Sequence, residues 1–123
     1  MNNIILVGFG GFAGALLRYE LSKNIKEKRA IDIPIETFFI NIIGAFFLNL
    51  LLSPKFKIYF NHDQILFLTT GFLGAYTTFS TFSAETVELF KMGKHGDAFI
   101  YMFFTVLFGI IGGIIGFYVG FCL

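Results

Sequence analysis

The chain has 123 residues, 56% of them hydrophobic and 14% charged, with a net charge of +1, 19 Phe and no Trp. Soluble domains carry about 25% charged residues, and intrinsic disorder needs low hydrophobicity with high charge, so this composition excludes both. The near-zero net charge argues against a nucleic-acid partner, and the lone Cys122 excludes a disulfide framework or a thiolate metal cluster, which leaves a small, phenylalanine-rich integral membrane protein.

Asp, Glu, Lys and Arg are absent from 1–17, 37–54, 64–84 and 98–123. Crossing a hydrocarbon core of about 30 Å takes about 20 mainly apolar residues in a helix. The pattern predicts an all-α fold of four transmembrane helices at 2–21, 34–53, 64–90 and 98–122, forming one transmembrane domain over 1–123. A β-barrel is excluded, because barrel strands alternate apolar and polar residues and the run 99–104 is apolar on every face.

In the first helix, Ile4-Ile5-Leu6-Val7 precedes Gly8-Phe9-Gly10-Gly11-Phe12-Ala13, which fits a dinucleotide-binding glycine pattern. That reading needs a βαβ unit around it, and only membrane-length apolar segments follow. The glycines are therefore expected to let helices pack closely. Ala13-Gly14-Ala15 has the look of a cleavage site, but no Lys or Arg precedes the apolar run as a signal peptide requires, so the segment is expected to be retained. Arg18 and Glu20 sit at the helix end, where a charge snorkels to the interface. Arg18 is equally suited to drawing an anion toward a pore mouth.

The first link holds Lys23, Lys26, Glu27, Lys28, Arg29 and Asp32. Within the second helix, Asn41 lies at mid-membrane depth, where an amide needs a partner. It serves either a helix–helix hydrogen bond or a pore. Asn49 lies nearer the helix end and reads as structural. The second link carries Lys55, Lys57, His62 and Asp63, and the third Lys91, Lys94, His95 and Asp97. Both His read as solvated. The first and third links hold six Lys/Arg against two in the second, and the positive-inside rule then places the first and third in the cytoplasm.

The third helix carries the most chemistry. It reads Gly71-Phe72-Leu73-Gly74-Ala75-Tyr76-Thr77-Thr78-Phe79-Ser80-Thr81-Phe82-Ser83-Ala84-Glu85. Two glycines followed by a cluster of hydroxyl residues make a poor uninterrupted helix, and a break is predicted. Irregular backbone at membrane depth must be buried in protein or line a water-filled cavity, and freed carbonyls there are cation ligands. Ser80, Thr81 and Ser83 offer a ladder of hydroxyls. Phe79 and Phe82 share a helix face. Their rings either pack or turn their positive edges toward a small anion. Glu85 shares a face with Thr81 and is either structural or functional, a carboxylate in a bundle interior being a functional candidate by default. In the fourth helix Gly109 and Gly113, and Gly112, Gly116 and Gly120, have the spacing of close helix packing.

The segment from Gly71 to Glu85 resembles the third-helix signature of the Fluc fluoride channels, also called the CrcB family. Gly10-Gly11-Phe12-Ala13-Gly14-Ala15-Leu16-Leu17-Arg18-Tyr19 is similar to their first helix, and Phe38-Phe39-Ile40-Asn41-Ile42-Ile43-Gly44-Ala45-Phe46 to their second. The match covers essentially the whole chain. The resemblance implies an antiparallel, dual-topology homodimer in the cell membrane with two passive fluoride pathways. It implies that Phe79 and Phe82 face the ion, with Asn41 as the pathway amide and Ser80 and Thr81 extending a polar track. Tyr101 is the candidate for the family's fourth-helix tyrosine, Arg18 for its vestibule arginine and Glu85 for its helix-3 carboxylate. Backbone carbonyls of Gly74 and Thr77 are implied as ligands of a structural sodium ion at the dimer centre.

Two other readings compete. A small multidrug-type exporter shares this length and helix count, but exchanges protons through a carboxylate inside helix 1, where no acid precedes Glu20. A helix-packing membrane subunit without transport activity needs only the glycine stripes, and leaves the hydroxyl and Phe constellation of helix 3 unexplained. No nucleotide site and no Ser/His/Asp or Cys/His set lies at membrane depth, so no enzyme activity is expected.

Overall fold

The computed structural model describes residues 2–123, and every regular element among them is helical. In chain order these are α1 (Asn3–Lys28), α2 (Ile35–Leu52), α3 (Pro54–Lys57), α4 (His62–Leu66), a π-helical stretch (Phe67–Leu73), α5 (Gly74–Tyr76), α6 (Phe79–Lys91) and α7 (His95–Cys122). Four stretches are long and apolar enough to cross a membrane: Asn3–Lys28, Ile35–Leu52, His62–Lys91 and His95–Cys122.

The Asn2 side chain caps α1 by accepting from the Ile4 N–H at 2.9 Å. The helix runs past its expected end at residue 21 to Lys28. Lys23, Lys26, Glu27 and Lys28 thus lie on a helical extension, not in a loop, and Lys26 and Lys28 in the last turn suit the negative end of the helix dipole. The second link likewise contains a short helix, α3, started by Pro54 at its first position. The third span is assembled from pieces. An Asn61–Gln64 capping box opens α4. The π-helical stretch follows, then α5, and then Thr77 (φ −80°, ψ 156°) and Thr78 (φ −149°, ψ 120°), both in extended conformation. Thr78 restarts the helix as the N-cap of α6, its side chain accepting from the Thr81 N–H at 3.2 Å.

Glycines set the helix contacts. A methyl group on Gly10 would meet the Gly71 Cα at 3.2 Å, and one on Gly14 would run into the Phe72 carbonyl. The backbone of α1 therefore lies directly on that of the π-helical stretch, with no side chain between them. On α7, Gly116 faces the Phe46 carbonyl and Gly120 the Ser53 hydroxyl, and Gly112 and Gly113 meet Ile42 and Asn49 of α2. Gly109 takes no part, since a Cβ there would meet nothing within 4 Å. Asn49 is structural, its Nδ2 donating to the Ala45 carbonyl at 2.9 Å.

Two apolar clusters fix the site between them. One holds Ile40, Leu51, Leu73 and Tyr76, and the other Leu89, Ala98 and Tyr101 with Phe38 and Phe82 packed on it. Most remaining large apolar side chains, among them Phe9, Phe12, Phe99 and Phe103, lie on the outer surface. That distribution suits a lipid solvent, because hydrocarbon does not penalise an exposed apolar side chain as water does.

Candidate functional site: a polar line from Asn41 to Glu85

The site starts where the third span is extended. Two residues without helical dihedrals leave backbone groups that need other partners at membrane depth. Asn41 of α2 supplies them for Thr78. Its Nδ2 donates to the Thr78 carbonyl at 2.9 Å and its Oδ1 accepts from the Thr78 N–H at 2.8 Å. A primary amide has two N–H donors, so one remains after this clasp. The structure thus shows Asn41 in the helix–helix hydrogen bonding expected of an amide at this depth, with the Thr78 backbone as its partner.

The clasp leaves carbonyls free. In a continuous helix the Thr78 N–H would bond to the Gly74 carbonyl and the Thr81 N–H to the Thr77 carbonyl. Here the first goes to Asn41 and the second to the Thr78 hydroxyl. The Thr77 hydroxyl itself donates to the Leu73 carbonyl at 2.9 Å. Gly74 and Thr77 therefore present carbonyl oxygens without their helical donors, a hard-oxygen set of the kind that takes alkali or alkaline-earth cations.

Thr78 is also the hub of the hydroxyls. Its Oγ1 donates to Thr81 Oγ1 at 3.0 Å and lies 3.4 Å from Ser80 Oγ. Ser80 and Thr81 are exposed on the first turn of α6. The Phe79 and Phe82 rings lie with centroids 5.9 Å apart, tilted at 47°. Phe79 is 78% exposed in the single subunit, whereas Phe82 is half-buried and lies 5.2 Å from the Tyr101 ring. Tyr101 is 2% exposed, and its hydroxyl donates to Glu85 Oε2 at 3.2 Å. The other oxygen, Glu85 Oε1, accepts from Thr37 Oγ1 at 2.8 Å. Asn41, Thr78, Phe79, Ser80, Thr81, Phe82, Tyr101 and Glu85 thus form one connected polar and aromatic line running from α2 along α6 to α7. Arg18 stands apart, half-buried on α1.

Sequence reading missed Thr37, Thr78 and Thr105. Thr37 partners Glu85 from 48 positions away, a pairing no local motif encodes. Thr78 was legible as an N-cap, a Thr placed directly before a helical run. Thr105 lies one turn beyond Tyr101, buried, and its hydroxyl has no hydrogen-bond partner among the described residues. The signal for it was the four-residue spacing from Tyr101 on an otherwise apolar helix.

Known proteins share this pattern. Residues 5–117 match the family model described as CrcB-like protein, Camphor Resistance (CrcB). A fluoride-specific ion channel FluC from Ruminiclostridium cellulolyticum is 46% identical over 95 residues, covering 76% of this chain and 73% of that protein. Fluoride-specific ion channel FluC 1 from Listeria monocytogenes is 46% identical over 103 residues, covering 84% of each. A FluC from Phocaeicola vulgatus is 36% identical over 107 residues, covering 87% of this chain and 88% of its own. With residues 5–117 of the 123 matched by the family model and relatives of this identity aligned across most of both chains, the chain belongs to the CrcB family.

Proposed function

We propose that the chain is a fluoride-selective channel that lets fluoride leave the cell passively, as a multi-pass protein of the cell membrane, and that it is not an enzyme. The observation that carries this reading is the line of moderate anion partners from Asn41 to Tyr101, in a chain related to proteins named as fluoride-specific ion channels. Fluoride is small and strongly hydrated, and a conducting pore must replace its water while binding it weakly enough to release it. One spare Asn41 N–H, the hydroxyls of Ser80 and Thr81 and the ring edges of Phe79 and Phe82 meet that requirement, with Tyr101, whose hydroxyl donates to Glu85, bordering the path. Thr105, with its unpaired buried hydroxyl, extends the line. A Lys or Arg at that depth would trap the ion, and the line contains none.

The exposed Phe79 ring favours a homodimer, because a path that borders an open face of one subunit needs a second copy to close it. An antiparallel, dual-topology pair is the arrangement that the family resemblance implies. The extended Thr77–Thr78 segment acts as the functional break of the third helix. The carbonyls of Gly74 and Thr77 would hold a structural sodium ion there. Such an ion would supply fixed positive charge and tie the broken segment together, and carbonyl oxygens relieved of helical donors fit it. Arg18 would raise the local anion concentration at the vestibule. The chain forms a single transmembrane domain on this reading.

The deciding experiment is efflux from liposomes loaded with fluoride or chloride. Fluoride release on adding a potassium ionophore, with chloride retained, is the expected result. Absence of fluoride release, or equal release of both ions, overturns the reading. The exporter alternative predicts proton-coupled movement of an organic cation, for which α1 supplies no mid-helix acid.

A further inference from the structure

Glu85 also lines a polar cleft of about 290 Å³, together with Lys26, Arg29, Asp32, Glu36 and Glu88. Glu36 is the unusual member. It is 3% exposed, yet its Oε2 accepts no hydrogen bond. Among the described residues its one close cation is Arg29, whose Nε lies 3.4 Å from that oxygen. Arg29 is held firmly in this position, because its Nη1 donates to the carbonyls of Ile31, Asp32 and Ile33 at 3.3, 3.0 and 2.8 Å. Asp32 is in turn ion-paired with Lys94, which ties the first link to the start of α7.

Glu36 directly precedes Thr37, the residue that donates to Glu85. Glu36 of α2 and Glu85 and Glu88 of α6 therefore share the cleft with Asp32 of the link, and of these Glu36 is buried and has the Arg29 guanidinium beside it. Each carboxylate repels an approaching anion unless a cation offsets it, and the offset is strong where water is scarce. A buried carboxylate stripped of its partner is also costly to the fold. Lys26 lines the cleft without an ion pair among the described residues and Lys94 is engaged with Asp32, whereas the Arg29 guanidinium is held by carbonyls and aimed at Glu36.

We propose that Arg29 is a positioning residue for fluoride permeation: by holding its guanidinium on Glu36, it cancels the charge that would otherwise bar an anion from the Glu85 end of the polar line. This inference rests on the reading of that line as the fluoride path. Arg29 acts through Glu36 and does not touch the ion.

The test is a charge cycle in the purified, reconstituted protein. Arg29→Gln is expected to slow fluoride efflux by about tenfold or more, leaving one carboxylate uncompensated. Adding Glu36→Gln to Arg29→Gln is expected to restore flux to within about threefold of the parent, because both charges are then gone. A role confined to holding the link would not be rescued this way, so failure of the double variant to recover overturns the proposal. Should Arg29→Gln not fold, Glu36→Gln alone still decides. It leaves Arg29 unbalanced and is expected to lower the fluoride concentration at half-maximal current by about threefold, and an unchanged value overturns the proposal. Glu85→Gln separates the two levels of inference. If it leaves flux unaltered, the path reading fails and the proposal with it. If Glu85→Gln is slow while Arg29→Gln matches the parent, the proposal alone fails.

Discussion

Asn41 of α2 grips Thr78 by both backbone atoms, donating to its carbonyl at 2.9 Å and accepting from its N–H at 2.8 Å. One side chain thus holds the extended turn open and keeps a second N–H, which on the proposed reading serves the ion. Asn41→Asp keeps the acceptor but loses both donors and adds a charge of the wrong sign. Fluoride efflux should fall by roughly 100-fold or more, as expected when a negative charge replaces a neutral donor in a water-poor anion path. Asn41→Ala should weaken the clasp as well, seen as faster hydrogen exchange at Thr78 than in the parent.

Phe79 separates edge chemistry from packing. Its ring is 78% exposed in the subunit, so Phe79→Ile should change the stability of a single subunit by no more than about 0.5 kcal/mol. Isoleucine keeps much of the volume without a polarised edge. Efflux should drop by at least about tenfold while size-exclusion elution stays that of the parent, the loss being in transition-state or site stabilisation of about 1.4 kcal/mol. Parent-like flux in Phe79→Ile would remove the ring edge from the path.

The spans were legible because hydropathy and helix length are local properties: four charge-free runs are four spans. Thr77 and Thr78 are extended in a segment whose clustered glycine and hydroxyl residues favour helix poorly. The partners were not legible. Which backbone group Asn41 holds depends on how α2 registers against the third span, and Thr37 meets Glu85 only after three spans have packed. Glu36 shows the same limit from the other side. It lies one residue before a charge-free run, where sequence gives no sign that it is 3% exposed and faces an arginine from the link. The end of α1 was misplaced because Lys and Glu are good helix formers, so a charged segment after an apolar run continued the helix into the aqueous layer.

Tyr101 and Thr37 divide the Glu85 carboxylate between them, one oxygen each. Tyr101→Phe keeps the ring against Phe82 and removes only the hydroxyl, at a cost of about 1.5–3 kcal/mol for a hydrogen bond to a charged group. Efflux should fall about tenfold, and Thr37→Val, which removes the other donor at similar size, should act in the same direction. If the two donors work as one unit, the double variant should lose less than the product of the single losses. A strictly multiplicative loss would mean that Tyr101 and Thr37 meet the ion independently.

The proposed sodium ion makes a prediction about buffer composition. If the carbonyls of Gly74 and Thr77 hold it, protein purified with N-methylglucamine in place of sodium should unfold at lower temperature in detergent. Returning sodium at about 100 times its dissociation constant should restore about 2.7 kcal/mol of stability. Titration should saturate, which ordinary ionic screening does not do. Identical melting in both buffers, measured at matched ionic strength, would leave those carbonyls without a cation.

The glycine contacts predict a loss of structure distinct from any loss of permeation. A side chain at Gly14 would run into the Phe72 carbonyl, and one at Gly116 into the Phe46 carbonyl. Backbone cannot yield as a flexible side chain can, so Gly14→Leu and Gly116→Leu should each destabilise the fold by about 1–3 kcal/mol or more. Both should appear as reduced membrane yield and loss of the parent elution peak. Gly109→Leu is the internal control, because a Cβ there meets nothing within 4 Å and the added side chain faces open space on α7. Yield of Gly109→Leu should match the parent within error. If instead Gly109→Leu fails while its subunit fold is intact by hydrogen exchange, the open face beside Gly109 is covered by the second copy in the proposed dimer, and crosslinking from a cysteine at position 110 should then join two subunits.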